Sequence, residues 1–107
     1  MIVHFDAYVS SGQHHHIATL KPGVSFRGLY LITSPPTVLR QCNEEFYSFT
    51  VSDFTGQIPC LIPTHRVHWQ PSTQFVSQRL AIEGYTALIQ EELTGMIGDL
   101  EPVKVIW

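Results

Sequence analysis

The chain has 107 residues, 44% of them apolar and 14% charged, and its formal net charge is −3 at pH 7. This composition is typical of one globular domain and excludes a disordered tail. No apolar run approaches the roughly 20 residues of a membrane span, and the N-terminus lacks the pattern of a secretory signal. No membrane association is therefore expected. The two cysteines, Cys42 and Cys60, define no disulfide framework, which predicts a reducing, cytoplasmic location.

The first 20 residues form a segment distinct from the rest of the chain. Apolar residues at 2–8 predict an extra strand or an arm, and a run of histidines, 14–16, follows. Residues 21–107 are then expected to form the folded domain. Its first strand is predicted at 24–33, where β-branched and aromatic residues dominate. Gly28 interrupts that strand, which indicates a bulge or a bend.

The middle of the chain predicts a β-hairpin. Residues 44–52 alternate in polarity, residues 53–56 read Asp-Phe-Thr-Gly, and residues 57–62 form a second apolar run. Alternation on either side of a short turn is the pattern of a hairpin. The segment 34–43 is predicted to be a loop because it begins with two prolines. Pro59 favours an edge position for the strand at 57–62.

Two further strands are predicted after a short connector. The connector, 63–73, contains two prolines and is expected to form at most one helical turn. Strands follow at 80–89 and 93–103, with a second bend at Gly84. Residues 85–92 also have helical propensity, but the glycines at 84 and 95 bracket too short a segment for a helix. The chain is thus predicted to be all-β, a five-stranded Greek-key barrel with an N-terminal extension.

The order of these segments resembles the anticodon-binding (tRNA-anti) type of OB domain over about residues 20–103. The resemblance is carried by the segments 21–23 (Lys-Pro-Gly), 27–32 (Arg-Gly-Leu-Tyr-Leu-Ile), 49–58 (Phe-x-Val-x-Asp-x-Thr-Gly-x-Ile), 82–85 (Ile-x-Gly-Tyr) and 100–103 (Leu-Glu-Pro-Val). Similar domains occur in aminoacyl-tRNA synthetases, in polymerase subunits and before the phosphohydrolase domain of a bacterial 3′–5′ exoribonuclease. The resemblance implies an OB-fold barrel that binds single-stranded nucleic acid.

Alternation within 44–52 divides this strand into two faces. Tyr47, Phe49 and Val51 are expected to face the barrel core. Phe46, Ser48 and Thr50 are then expected to face outward. Phe46 would offer a ring for base stacking, which is worth about 1–3 kcal/mol per base, with the two hydroxyls beside it as hydrogen-bond partners. The alternative is that Phe46 packs under a loop or a partner subunit.

Cations and a second aromatic group complete the predicted nucleic-acid site. Arg27 should point outward near the same face, and Arg40 lies in the loop before the second strand. The cluster His65-Arg66-x-His68-Trp69 combines a cation, imidazoles and an indole, which suits a phosphate and a base. Trp69 could instead cap an open end of the barrel. The chain has only six lysines and arginines, so few phosphate contacts are available.

Catalysis, cofactors and metals are not predicted. The histidines and the two cysteines lack CxxC or HxxxH spacing, so a structural zinc site is not expected. Asp53 is interpreted as a turn residue that accepts backbone hydrogen bonds. No nucleophile, phosphate-loop or dinucleotide motif is present. The chain is therefore predicted not to be an enzyme.

Three functional hypotheses follow from the sequence. The first is an OB-fold domain that binds single-stranded DNA or RNA through the outer face of its first three strands. The second is a protein-interaction or homodimerisation module in a replication, repair or RNA-processing complex, because Leu29, Leu31 and Leu61 are expected on an exposed apolar surface. The third is the N-terminal domain of a longer nucleic-acid enzyme.

Overall fold

The computed structural model describes the backbone of residues 2–4, 12–67 and 79–106, and the side chains of 12–67 and 79–103. Strands and two short 3₁₀ turns make up the regular structure of this part of the chain. The 3₁₀ turns are Ile17–Thr19 and Thr64–Arg66. The strands are β1 (Ile2–His4), β2 (Ser25–Ile32), β3 (Thr37–Gln41), β4 (Glu44–Asp53), β5 (Gly56–Pro63), β6 (Arg79–Ile89), β7 (Glu92–Pro102) and β8 (Lys104–Ile106).

Five of these strands close into a barrel. The sheet runs β2-β6-β7-β5-β4, and β4 pairs again with β2 through Leu31↔Ser52 and Ile32↔Val51. The pair β5–β7 is parallel, whereas the other pairs in the barrel are antiparallel. This closure confirms the predicted five-stranded barrel. The order of its strands also confirms that 80–89 and 93–103 form a strand pair instead of a helix.

Strand β3 was not predicted, because 34–43 was expected to be a loop. Thr37–Gln41 instead pairs antiparallel with the first half of β4. The hairpin turns at Cys42 and Asn43, whose φ angles are 51° and 62°. Two successive positive φ angles are the signature of a two-residue hairpin turn. The asparagine in that turn was the available signal, and the two prolines obscured it.

The position of β5 also differs from the prediction. Pro59 favoured an edge strand, but β5 pairs with β4 along its length and with β7 at Cys60 and Leu61. Pro59 immediately precedes the residues that pair with β7. The missing N–H of proline is therefore kept out of the short β5–β7 ladder.

The N-terminal extension forms the additional strand that the sequence suggested. β1 pairs in parallel with β8 through Ile2↔Lys104, Val3↔Val105 and His4↔Ile106, in a separate two-stranded sheet. Further along, Ile17 is 6% exposed and belongs to the core cluster of the barrel. The division of the chain at residue 20 stays a prediction. None of the described segments forms a helix long and apolar enough to cross a membrane.

The barrel core follows the strand alternation. Phe49 and Val51 point inward as predicted, and Tyr47 packs against the core while half-buried. The buried core cluster also contains residues from every barrel strand and the first 3₁₀ turn: Ile17, Phe26, Tyr30, Ile32, Ile58, Cys60, Ile62, Leu80, Ile82 and Ile97. Burial raises the pKa of the Cys60 thiol to about 12. Cys60 is thus an apolar core residue, as the alternation indicated.

The two glycines that were expected to bend strands behave differently. The β6–β7 register shifts between Glu83 and Gly84, which is the predicted irregularity. A Cβ on Gly84 would collide with the backbone of Met96 and lie 3.0 Å from Ile97 Cα. The β2–β6 ladder instead runs through Gly28 in unbroken register. Gly28 is required for another reason, because the rings of His14 and Tyr30 occupy the space where its Cβ would be.

The outer apolar residues are not an exposed patch, contrary to the sequence expectation. Leu29 is 1% exposed and Leu61 is 6% exposed, while Leu31 is half-buried. Alternation assigns a side chain to a face of the sheet, but whether other segments cover that face depends on the tertiary structure.

A buried carboxylate joins the N-terminal segment to the β4–β5 turn. Asp53 Oδ1 accepts hydrogen bonds from the Thr55 and Gly56 backbone N–H groups, as expected of a turn residue. Asp53 Oδ2 accepts from the Ile17 N–H and from His14 Nε2, each at 3.0 Å. The side chains of Asp53 and His14 are 3% and 1% exposed. Local spacing does not indicate this contact, because the two residues are 39 positions apart in the chain.

His14 is neutral in this arrangement. Its Nδ1 accepts the Leu29 backbone N–H at 3.0 Å, so its proton resides on Nε2 and is donated to Asp53. Burial lowers the pKa of His14, although the hydrogen bond to Asp53 acts in the opposite direction. Burial by itself would raise the pKa of Asp53, but hydrogen bonds, first from Thr55 and then from Ile17 and His14, hold it below its usual value.

We expect stability to fall in acid because of His14. A histidine whose folded pKa is lowered stabilises the fold above its unfolded value of 6.5, and this contribution is lost as the pH falls through the folded pKa. His14→Ala should lower the unfolding free energy at neutral pH by about 1–3 kcal/mol, since the buried Leu29 N–H loses its acceptor. Urea denaturation from about pH 7.5 down to about pH 5, a range that brackets the ordinary pKa of histidine, measures both effects.

His65→Ala is the matched control, since His65 is exposed. It should leave the unfolding free energy at neutral pH close to that of the wild type. An unchanged acid sensitivity in the His14 variant would contradict the assignment.

The β6–β7 turn predicts a stabilising substitution. Gln90 and Glu91 have φ angles of 52° and 66°, a region that costs non-glycine residues roughly 1 kcal/mol or more. Glu91→Gly should therefore raise the unfolding free energy by up to about 1 kcal/mol. Glu92→Gly, one residue later in β7, should lower it instead. Thermal and urea denaturation of the two variants would show opposite signs.

Candidate nucleic-acid interface

An open groove lies on the outer surface of β4 and β5. Two hairpins form its walls: β3–β4 on one side and the end of β6–β7 on the other. Its volume is about 210 Å³. Ten residues line it: Leu39, Gln41, Ser48, Pro59, Cys60, Leu61, Ile89, Gln90, Glu92 and Thr94.

The walls of the groove exist because of the two tight turns. β3 is anchored to β4 from Thr37↔Ser48 to Gln41↔Glu44. The β6–β7 ladder extends to Ile89↔Glu92, next to its turn. Each turn uses two residues with positive φ, which matches the twist of the flanking strands. Both hairpins are therefore paired as far as their turns.

The chemistry of the groove is that of neutral hydrogen-bonding groups on an apolar base. Ser48, Gln41 and Gln90 supply hydroxyl and amide groups, which can both donate and accept. Leu39, Pro59 and Ile89, which are half-buried, supply apolar surface on which flat rings and sugars pack. Glu92 is the charged residue among those that line the groove. This arrangement suits contacts to bases better than it suits a phosphate clamp.

Two of the predicted site residues belong to this region. Ser48 lines the groove, as expected from its place on the outer face of β4. Arg40 lies in β3, between the lining residues Leu39 and Gln41, and its side chain is 82% exposed. Its guanidinium is 3.2 Å from the carboxylate of Glu45. Because successive side chains of a strand point to opposite faces, Arg40 lies on the face of β3 opposite to Leu39 and Gln41, and it is already paired with an acid.

Phe46 and Thr50 lie on β4 but outside the residues that line the groove. Phe46 is only 9% exposed, between Leu39 of β3 and Pro63 of β5. Its ring is thus not accessible for the predicted stacking in this conformation. Thr50 is half-buried, and its backbone N–H donates to Ser34 Oγ at 3.0 Å. The binding roles of both residues stay predictions.

The remaining predicted residues are elsewhere. Arg27, on β2, lies 3.8 Å from Glu83 of β6. Arg66, in the second 3₁₀ turn, donates to the Gly98 carbonyl of β7 at 3.3 Å. These two arginines therefore approach a different depression, on the β2–β6–β7 side of the barrel. His68 and Trp69 lie outside the described residues.

Sequence reasoning missed most of the groove. Leu39 and Gln41 were assigned to a loop, and Gln90 lies in a turn with no turn-forming residue type. Leu61 was identified, but as part of an exposed patch. Asn43 was the one usable signal, because asparagine favours the positive φ of a hairpin turn.

The described residues also contain a group of three metal-ligating side chains that spacing did not reveal. Ligand atoms of His14, His16 and Asp53 lie within 4.8 Å of one another. However, neutral His14 already uses both ring nitrogens, one toward the Leu29 N–H and one toward Asp53. A metal at Nε2 would require the proton on Nδ1, where the Leu29 N–H already points. The group is therefore explained as a structural hydrogen-bond network.

Negative charge surrounds the groove. Glu44, Glu91 and Glu92 are exposed, and Glu45 is half-buried. They lie at the ends of the two hairpins that form the walls. Because phosphate binding depends on nearby cations, this distribution weakens the interaction of the groove with a polyanion and increases the relative importance of contacts to bases.

Comparison with known proteins identifies the fold. No family model and no curated protein sequence matches the chain. Among solved structures, the second OB-fold domain of replication protein A from Methanococcus maripaludis is similar, with a TM-score of 0.66 and 14% identity over 83% of this chain and 93% of that one. This chain is an OB-fold domain. A replication protein A heterotrimer bound to ssDNA is also similar, with a TM-score of 0.50 and 14% identity over 96% of this chain and 81% of that one.

Proposed function

We propose that this OB-fold domain binds single-stranded nucleic acid, DNA or RNA, in the groove between the β3–β4 and β6–β7 hairpins. The observation that carries the proposal is the groove itself. It combines amide and hydroxyl groups with apolar surface, and two ordered hairpins flank it. OB-folds bind oligonucleotides with the outer face of the barrel and the loops beside it.

Two comparisons support this proposal. The two similar structures named above are an OB-fold domain of replication protein A and a replication protein A heterotrimer bound to ssDNA. The sequence segments 21–23, 27–32 and 49–58 support assignment to the anticodon-binding group of OB domains. This subgroup is part of the proposal, because a structural similarity at 14% identity supports the fold alone.

The proposed activity is binding without catalysis. The described groups with displaced pKa values are His14, Asp53 and Cys60. His14 and Asp53 stabilise each other where the N-terminal segment meets the β4–β5 turn, and Cys60 is buried in the core. Displaced pKa values at a catalytic site would be expected in an open cleft. A cytoplasmic location is part of the same proposal, and both cysteines are free thiols.

The alternative of a protein-interaction module has lost one of its supports. Leu29, Leu31 and Leu61 were expected to form an exposed apolar surface, but two of these residues are buried. The acidic net charge of the chain still favours it. The groove, in contrast, is an observed feature of the structure. The nucleic-acid proposal is therefore favoured, and a homodimer or protein partner is the second candidate.

The groove predicts a specific loss of affinity on adding negative charge. Gln90→Glu places a carboxylate at the lining of the groove, so affinity for a single-stranded oligonucleotide should fall by about five- to tenfold at low salt. Gln13→Glu adds the same charge at another exposed glutamine, in the N-terminal segment. It should change the affinity by less than about twofold, as expected for a distant screened charge.

Fluorescence anisotropy with labelled DNA and RNA strands at two salt concentrations is the measurement. Equal losses in the two variants would show a general charge effect and refute the groove. Absence of binding by the wild-type chain at low salt would refute the function.

The Arg40–Glu45 pair predicts a gain of affinity. Glu45→Gln frees a guanidinium on the β3–β4 hairpin, which forms one wall of the groove, so binding should tighten by about three- to fivefold at low salt and show a steeper salt dependence. Glu44→Gln is the matched control, since it removes the same charge from the same strand, whereas Arg40 is paired with Glu45. The same anisotropy titrations compare the two. An equal gain in the Glu44 variant would show a general charge effect and contradict a specific role of Arg40.

A further inference from the structure

A second and larger depression lies on the β2–β6–β7 side of the barrel. Its volume is about 520 Å³, and it is separate from the groove of the proposed function. β2 supplies Ser25 and Arg27 to its lining, β6 supplies Glu83 and Tyr85, and β7 supplies Gly98 and Asp99. His15 from the N-terminal segment also lines it. The function proposed above makes no use of this depression.

A β-bulge creates the depression. Glu83 pairs with Asp99 and Gly84 pairs with Ile97, so Gly98 has no partner in the β6–β7 ladder. Such a bulge increases the local twist and redirects the neighbouring side chains. Gly98 also leaves the space open, because a Cβ there would approach only Glu83 O, at 3.8 Å.

An exposed aromatic ring is the main feature of the depression. Tyr85 is 55% exposed, and it follows directly after the bulge in β6. Large aromatic side chains on a surface are commonly ligand or partner contacts, since their burial in a complex is favourable. A ring with one open face is also the platform on which nucleobases stack.

Positively and negatively charged side chains lie around Tyr85. The guanidinium of Arg27 lies 3.8 Å from the carboxylate of Glu83, and both side chains are at least half exposed. Arg66 donates to Gly98 O at the rim. Asp99 Oδ1 accepts the Leu100 N–H, which leaves its second oxygen as a further acceptor. Two arginines and two carboxylates balance, so the depression favours neither cations nor anions strongly.

His15 contributes a hydrogen-bond donor. Its backbone N–H donates to Arg27 O at 2.8 Å, and its Nδ1 accepts the Arg27 N–H at 3.0 Å. With Nδ1 used as an acceptor, a neutral His15 carries its proton on Nε2. The depression thus offers donors from an imidazole and guanidinium groups, and acceptors from carboxylates, around one exposed ring.

We propose that this depression is a second base-binding site, in which a nucleobase stacks on Tyr85 and its polar edge bonds to the surrounding side chains. The depression combines an aromatic face with equal numbers of positive and negative side chains. A nucleobase matches both features, because it is a neutral flat ring with hydrogen-bond donors and acceptors on its edge. Arg66 or Arg27 contacts the attached phosphate. The inference rests on the proposed function, because it extends the nucleic-acid surface beyond the groove.

One strand can occupy both sites. β7 contributes Thr94 to the groove and Gly98 to the depression, and four residues of extended chain span about 13 Å. OB-folds engage about 4–16 nucleotides. The depression therefore determines how long an oligonucleotide must be for full affinity, whereas the groove binds shorter strands.

Three variants separate the effect of base stacking on Tyr85 from the effect of the open space at Gly98. Gly98→Val fills the depression, Tyr85→Ala removes the ring, and Tyr85→Phe keeps it. Leu88→Ala is the matched control, since Leu88 is an exposed residue of the same strand outside the lining. Binding of a labelled mixed-sequence strand of about 15 nucleotides, within the span of one OB-fold, is measured by anisotropy.

Gly98→Val and Tyr85→Ala should each weaken binding about fivefold or more, as loss of one stacked base predicts. Tyr85→Phe and Leu88→Ala should leave it within about twofold, because both keep the ring on which the base stacks. If Gly98→Val fails to fold, the contrast between Tyr85→Ala and Tyr85→Phe decides the question. Unchanged binding in Tyr85→Ala, together with a loss in Gln90→Glu, overturns the second site and leaves the proposed function intact.

Free nucleotides provide an independent measurement on the wild-type chain. Each of the four deoxynucleoside monophosphates is titrated into ¹⁵N-labelled protein, and amide shifts are followed by NMR. Shifts at Gly84 and Tyr85 that disappear in Gly98→Val support the site, even if the longer strand does not bind and the proposed function fails. The second site is overturned if neither the nucleotides nor the single strand shifts these amides. It is also overturned if an arginine-rich peptide shifts them and the nucleotides do not.

Discussion

The side chain of Asp53 joins the N-terminal segment to the β4–β5 turn, two parts of the chain that are far apart in the sequence. One of its oxygens accepts the N–H groups that close the β4–β5 turn. The other accepts from Ile17 and His14, and His14 in turn satisfies the N–H of Leu29 on β2. A buried carboxylate is tolerated only when its hydrogen bonds are made. The N-terminal segment is thus required by the barrel, and not merely attached to it.

Asp53, His14 and Ile17 line neither of the two surfaces proposed for binding, although the neighbouring His15 lines the depression. The groove is formed by the β3–β4 and β6–β7 hairpins, and the depression is formed by the bulge at Gly98. A barrel core that is satisfied internally leaves these outer surfaces free to vary in chemistry. Carboxylates predominate around the groove, whereas two arginines balance two carboxylates at the depression. Affinity is therefore expected to depend on contacts to bases more than on phosphate contacts, and to be correspondingly less sensitive to salt.

Local sequence patterns predicted the parts of the fold that depend on neighbouring residues. Alternation placed Phe49 and Val51 inward, and the Asp-x-x-Gly turn located the central hairpin. The same reasoning failed where a distant contact decides the outcome. Gly28 was interpreted as a bend, but it makes room for the rings of His14 and Tyr30. Segment 34–43 was assigned to a loop, although pairing with β4 makes Thr37–Gln41 a strand.

The sequence by itself determined the all-β class and the five-stranded barrel, because strand alternation and turn chemistry act over a few residues. The nucleic-acid hypothesis came from the resemblance of its segments to the anticodon-binding type of OB domain. Only the tertiary structure decided which outward residues are accessible. Phe46 and Leu61 alternate outward but are buried, whereas Tyr85 is exposed beside two arginines. Accessibility depends on which strands and hairpins come together around a side chain, and closure of the barrel sets that arrangement over distances that no local pattern encodes.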